Sequence, residues 1–185
     1  MRIRTLLNIG LLLSTLAAGR AGAAEDGAAE TLERLPASKH TLVDAIRQAE
    51  KTNGTPISAK FEFEDGKLWL SVYTAKDGKV PDAEHNTLME LKGEPGGAQW
   101  QPATEVFQDK EHIARSAAQL TLIQLSGASL ESAVQKAASA QKGTPYSAIP
   151  RIKAGRPVLE VLVAAPDGKS TTVDVDLQTN KATKH

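Results

Sequence analysis

Two pairs of carboxylates recur at i and i+2 spacing, Glu62 with Glu64 and Asp174 with Asp176. Strand geometry would set each pair on one face, the placement that two acids need to share general acid–base work. Glycoside hydrolysis asks for more, two acids opposed across a cleft. Alternation on the wet face of an antiparallel sheet accounts for the same residues without chemistry. The four histidines, His40, His85, His112 and His185, never fall three to five residues apart, so no helical or hairpin metal pair is visible. His85 with Asp82 and Glu84 is the one weak candidate donor set for a cation, and a polar loop after Pro81 is its plainer reading. No cysteine is present, which removes thiolate nucleophiles, thiolate ligands and disulfides. The G-x-S-x-G elbow, the H-E-x-x-H helix, the phosphate-cradling glycine loop and the dinucleotide fingerprint are missing from the sequence as well. These residue types point away from an enzyme and call for no cofactor.

Large rings suit binding better than catalysis. In the predicted strand from Lys67 to Ala75, Leu68, Leu70 and Val72 share one face, while Trp69, Ser71 and Tyr73 share the other. Rings on a face that should be wet imply a cover. Three covers stand open: a second sheet, a helix predicted within 104–125, or a partner, for which Trp and Tyr are typical anchors. Trp100, in the Gly/Pro-rich loop from Lys92 to Pro102, is a further candidate anchor or a plug at the edge of a core.

The elements that must position these residues come in duplicate. Leu42-x-x-Ala45-Ile46-x-x-Ala49, then Gly54-Thr55-Pro56, then Ser58-Ala59, returns as Leu130-x-x-Ala133-Val134-x-x-Ala137, then Gly143-Thr144-Pro145, then Ser147-Ala148. Self-similarity of this kind decides how a fold is read. Each copy predicts a helix with one apolar stripe, a glycine stop, and a hairpin turning at Asp65-Gly66 or Ala154-Gly155. Thr41 with Asp44 forms an imperfect capping box, and Ser129 caps the second helix. A third strand follows in each copy, around 86–91 and 171–177. Between the copies a helical pattern runs from Thr104 to Leu125, with Ile113, Ala117 and Leu120 as its stripe and Glu111 spaced to pair with Arg115.

The expected fold class is α+β: two small helix-on-antiparallel-sheet units joined by a linker helix. The expected boundaries are a signal peptide at 1–24, a flexible leader at 25–38, unit one at 39–93, a loop and linker helix at 94–126, and unit two at 127–185. The signal reading rests on Arg2 and Arg4, the apolar run from Leu6 to Ala18 and the small residues 21–24. That run is too short for an ordinary membrane helix. Its removal would leave 19 basic against 22 acidic residues, which is a poor match for nucleic acid. A soluble periplasmic or secreted protein is expected.

The repeated helix, glycine stop and hairpin, with the closing Asp176-Leu177-Gln178-Thr179-Asn180-Lys181, resemble the PepSY domain. Asn180 stands where that family usually has glycine, and Asn tolerates the left-handed turn well. The resemblance covers about 110 residues in tandem, and copy one lacks the Asp-x-x-Thr ending. It implies an extracytoplasmic, non-catalytic module without family catalytic residues. The implied partner is a protein or peptide in the cell envelope, with restraint of a peptidase as the most concrete version. Trp69, Tyr73 and Trp100 are the expected contacts. The alternative is periplasmic handling of a metal ion or small ligand through His85, Asp82 and Glu84.

Overall fold

The computed structural model describes residues 19–185, and residues 1–18 of the expected signal peptide lie outside the described part. Among the described residues the helices are α1 (Gly19–Arg34), α2 (Leu42–Asn53), α3 (Lys110–Gln124) and α4 (Leu130–Ala140). The strands are β1 (Thr55–Glu64), β2 (Lys67–Ala75), β3 (Leu88–Gly93), β4 (Ala103–Val106), β5 (Thr144–Lys153), β6 (Arg156–Ala164), β7 (Ser170–Asp176) and β8 (Ala182–Lys184). All eight join one antiparallel sheet in the order β4-β3-β2-β1-β5-β6-β7-β8.

The expectation of two units joined by a linker helix is therefore corrected. The repeats fuse edge to edge, because β1 pairs with β5 through Ala59↔Ala148 and Lys60↔Ser147. A single hydrophobic cluster runs through both halves, from Leu35 to Leu177. The physical reason is that a unit of roughly 55 residues has a marginal core, and each would expose a bare strand edge at β1 or β5. Joining the two edges relieves both problems. Helices α2 and α4 lie side by side on the same sheet face and are tied by Arg47, whose Nε donates to Glu131 at 2.9 Å.

The local signals act as their chemistry requires. Thr41 accepts the Asp44 N–H at 3.1 Å while Asp44 accepts the Thr41 N–H at 3.0 Å, closing the capping box. Leu42, Ala45, Ile46 and Ala49, like Leu130, Ala133, Val134 and Ala137, are buried. Beneath them lie Ala59, Phe61, Leu70, Val72 and Leu91 in the first half, and Ala148, Leu159, Val161, Val173 and Val175 in the second. Asn180 has φ 54°, the left-handed value expected of it.

Two segments differ from expectation. Instead of a flexible leader, 25–38 completes α1 and then makes a 3-10 turn at Leu35–Ala37, with Thr31 and Leu35 buried. Phe63 lies past the end of the β1–β5 pairing, so its N–H needs another acceptor; Thr31 Oγ1 supplies it at 2.9 Å. The region from Thr104 begins as β4 and becomes helical only at Lys110, where Asp109 caps α3 by accepting the His112 N–H at 2.9 Å. Helix α3 packs on β5, β1 and β3 together, on the sheet face opposite α2 and α4.

Candidate functional site

The sheet face beneath α3 is polar, and its two halves carry inverted charge. In the hairpin register Glu62 and Glu64 of the first repeat correspond to Arg151 and Lys153 of the second. Lys92, paired with Ser71, corresponds to Asp174, paired with Glu160. Lys92 donates to Glu64 at 2.6 Å and lies 3.7 Å from Glu62, which Lys60 also meets. Glu160 takes Arg151 and Lys153 at 2.7 Å each, while Asp174 takes Lys153 at 2.7 Å and His185 at 3.1 Å. The Lys92 ammonium holds Glu64 below the usual carboxylate range. Burial pushes Glu160 up, but Lys153 and Arg151 outweigh it and leave the group lowered. Asp176 is lowered chiefly by the Thr179 N–H. Acids held ionised in this way suit structural pairing better than proton donation.

Tyr73 is capped by Phe107, edge-on at 5.0 Å between centroids, and Phe107 stacks in turn on His112 at 5.0 Å. Burial, reinforced by Glu90, pushes the Tyr73 hydroxyl up to about 12. Trp100 is 3% exposed and sits in the core, its Nε1 donating to the Gly93 carbonyl at 3.3 Å. Trp69 is half-buried on the polar face, with the Lys92 and Lys67 ammonium groups 5.2 and 5.7 Å from its ring centroid. Of the three expected anchors, Trp69 thus keeps accessible surface, while Tyr73 and Trp100 are spent on packing. The cover for Tyr73 comes from α3 and the segment before it.

Asp82 and His85 do meet, Nδ1 to Oδ1 at 2.8 Å, in an exposed turn where Asp82 also accepts the His85 N–H. These two bonds lower Asp82. Among the described residues no group of three or more His, Cys, Asp or Glu side chains is arranged to hold a metal ion.

The feature that sequence reasoning missed lies along β5. After Ala148 this strand leaves β1, which bulges between Pro56 and Ser58 and follows β2 instead. A groove of about 730 Å³ opens there between α3 and β5. Arg115, Ala118 and Leu122 form its helical wall, and Ile149, Pro150 and Ile152 its strand wall. Ile152 is 68% exposed, and Leu125, one turn beyond Leu122, is 62% exposed. Next to the groove a small recess of about 40 Å³ is lined by Ser58, Ser71, Tyr73, Arg115 and Gln119. The Ser71 hydroxyl is buried without a hydrogen-bond partner. The exposed Ile152 in a strand otherwise rich in apolar residues was the available signal, but one residue in a hairpin does not announce a groove built by a distant helix.

No family model matches the chain, and no curated protein matches it. A solved structure described as "a putative lipoprotein" from Clostridium difficile 630 is similar at 17% identity over 80% of this chain and 95% of that one, with a TM-score of 0.39. A score that low leaves the fold to be defined by the topology above. Among the described residues no helix is long and apolar enough to cross a membrane.

Proposed function

We propose that this chain is a non-catalytic, exported, PepSY-like module that binds an extended segment of a protein or peptide partner in the cell envelope, with restraint of a peptidase as its most concrete form. The observation that carries the reading is the stretch of β5 from Ile149 to Lys153. It has lost β1 as a neighbour and borders an apolar groove. A strand edge beside a groove is the arrangement that strand addition uses: backbone bonds supply affinity and neighbouring side chains select sequence. The groove is walled by aliphatic, Arg, Gln and Thr side chains, with no carboxylate or imidazole to act as a general base, so it suits holding better than turnover. The export part of the reading rests on the basic start and apolar run before Ala24.

The test is a photo-cross-linking amino acid placed at Ile152 and, as a control, at exposed Ile113 in the intact cell envelope. The expected result is a discrete adduct from position 152 and none from 113, with peptidase activity of the envelope fraction rising when the protein is removed. Equal labelling from both positions, or no adduct at all, would sink the reading.

A further inference from the structure

Resting on the strand-addition reading above, we infer that the groove selects an extended segment carrying a carboxylate, which Arg115 receives at the mouth of the recess. Three observations converge on this. The first is charge. The spacing of Glu111 and Arg115 predicts an ion pair along α3, yet among the described residues Arg115 has no carboxylate within ion-pair distance. It lines both the groove and the recess instead, beside the Tyr73 hydroxyl, which can engage only part of its fork of donors. Arg151, also in the groove wall, is already committed to Glu160 at 2.7 Å. A guanidinium offers a planar fork of donors that fits a carboxylate in two-point fashion.

The second observation is the Ser71 hydroxyl. It is fully buried and unpaired in the same recess, where Gln119 Oε1 is already occupied by Ser58 Oγ at 2.8 Å. A buried polar group without a partner costs free energy, and a carboxylate oxygen at the recess mouth is an acceptor that this hydroxyl can use.

The third is the contrast between the repeats. Phe63 of β1 and Ile152 of β5 occupy equivalent positions, three residues before the glycine of each hairpin. The Phe63 N–H is satisfied by Thr31 from α1. Among the described residues Ile152 N–H has no such acceptor, since β1 pairs with β5 only as far as Ala148 and the Pro157 carbonyl opposite accepts from Leu177. Helix α3, which precedes α4 as α1 precedes α2, stands across the groove from Ile152. An incoming backbone would satisfy Ile152 as Thr31 satisfies Phe63. Its apolar side chains would cover Ile152 and Leu122, and its acid would reach Arg115.

Fluorescence polarisation with labelled heptapeptides tests this on the full chain. The probe is an alternating Thr/Val heptapeptide with aspartate at its centre, compared with the same peptide carrying asparagine or lysine there. The expected result is saturable binding of the aspartate peptide, about tenfold weaker binding with asparagine, a difference of about 1.4 kcal/mol, and weaker still with lysine. Arg115→Ala should erase the preference while leaving the residual affinity, and Ile152→Asp should abolish binding of all three. Arg115 and Ile152 are exposed, so neither variant threatens the fold. Equal affinity for the three peptides would overturn the acidic preference and leave strand addition standing. Binding of none would overturn both, as would a concentration-dependent dimer broken by Ile152→Asp, because the groove would then belong to a second copy.

Discussion

Ser58 Oγ and Gln119 Oε1 lie 2.8 Å apart, both buried, where α3 crosses the seam between the repeats. This bond joins a helix to the polar side of a sheet, so removing one partner strands the other. Gln119→Ala should cost about 1–3 kcal/mol in urea unfolding, because the Ser58 hydroxyl is left buried without an acceptor. The double variant Ser58→Ala with Gln119→Leu should recover much of that loss. If Gln119→Ala proves neutral, water reaches the seam and α3 is held mainly by Leu120 and Ile123.

The same bond shows what the sequence could and could not disclose about this fold. The stripes on α2 and α4 were legible because Leu42, Ile46, Leu130 and Val134 follow the 3.6-residue period and face an apolar surface. The α3 stripe holds at Leu120 and Ala117, which pack on the core, and departs at Ile113. Ile113 suggested the inward face, yet Ser116, Gln119, Leu120 and Ile123 are the buried residues and Ile113 is 41% exposed. A helix that packs on a polar sheet face buries polar side chains, and hydrophobic periodicity cannot find it. Fusion of the two repeats was hidden for a related reason. Ala59 and Ala148 meet across a seam of two residue pairs, and nothing in the composition of β1 or β5 distinguishes an inner edge from an outer one. Trp69 was legible as a ring on the wet face, but the groove depends on where β5 parts from β1.

Gly54 caps α2, whereas α4 ends with Gln141 as its cap, two residues before Gly143, and both glycines answer a stricter need. At Gly143, φ is 149°, and a Cβ would collide with the Ala164 carbonyl oxygen; at Gly54, φ is 97°, and a Cβ would collide with the Ala75 carbonyl oxygen. Gly66, with φ 77°, has open space where a Cβ would point. Gly66→Ala should therefore cost only the left-handed strain, about 1–2 kcal/mol. Gly143→Ala should cost clearly more, since backbone must also move. Chemical denaturation of the two variants side by side decides this, and equal losses would mean that the β6 end yields easily.

Tyr73 gives an alkaline signature. An unfolded tyrosine ionises near 10, whereas burial beneath Phe107 and His112 holds the folded group to about 12. Above pH 10 the unfolded chain therefore loses its proton first, the native state binds more protons, and stability falls as pH rises. Tyr73→Phe should flatten that limb in melting curves taken between pH 9 and 11. An unchanged slope would place the titrating group elsewhere.

The acid side runs the opposite way and starts at α2. The hydrogen bonds from the Thr41 hydroxyl and N–H hold Asp44 below its ordinary value, more than its slight burial raises it. The native state then binds fewer protons than the unfolded chain, so the box contributes fully above the ordinary aspartate value near 3.9 and is lost as pH falls below it. Asp44→Asn keeps an oxygen for the Thr41 donors but removes the titration. Its stability should show a shallower decline than the parent between pH 4 and 2. Thr41→Ala, which removes the cap itself, should cost about 1 kcal/mol at neutral pH. If Asp44→Asn follows the parent curve in acid, the decline belongs to Glu64 and Glu160 on the charged face, whose cations hold them low in the same sense. Lys92→Met would then be the variant that flattens it, by freeing Glu64.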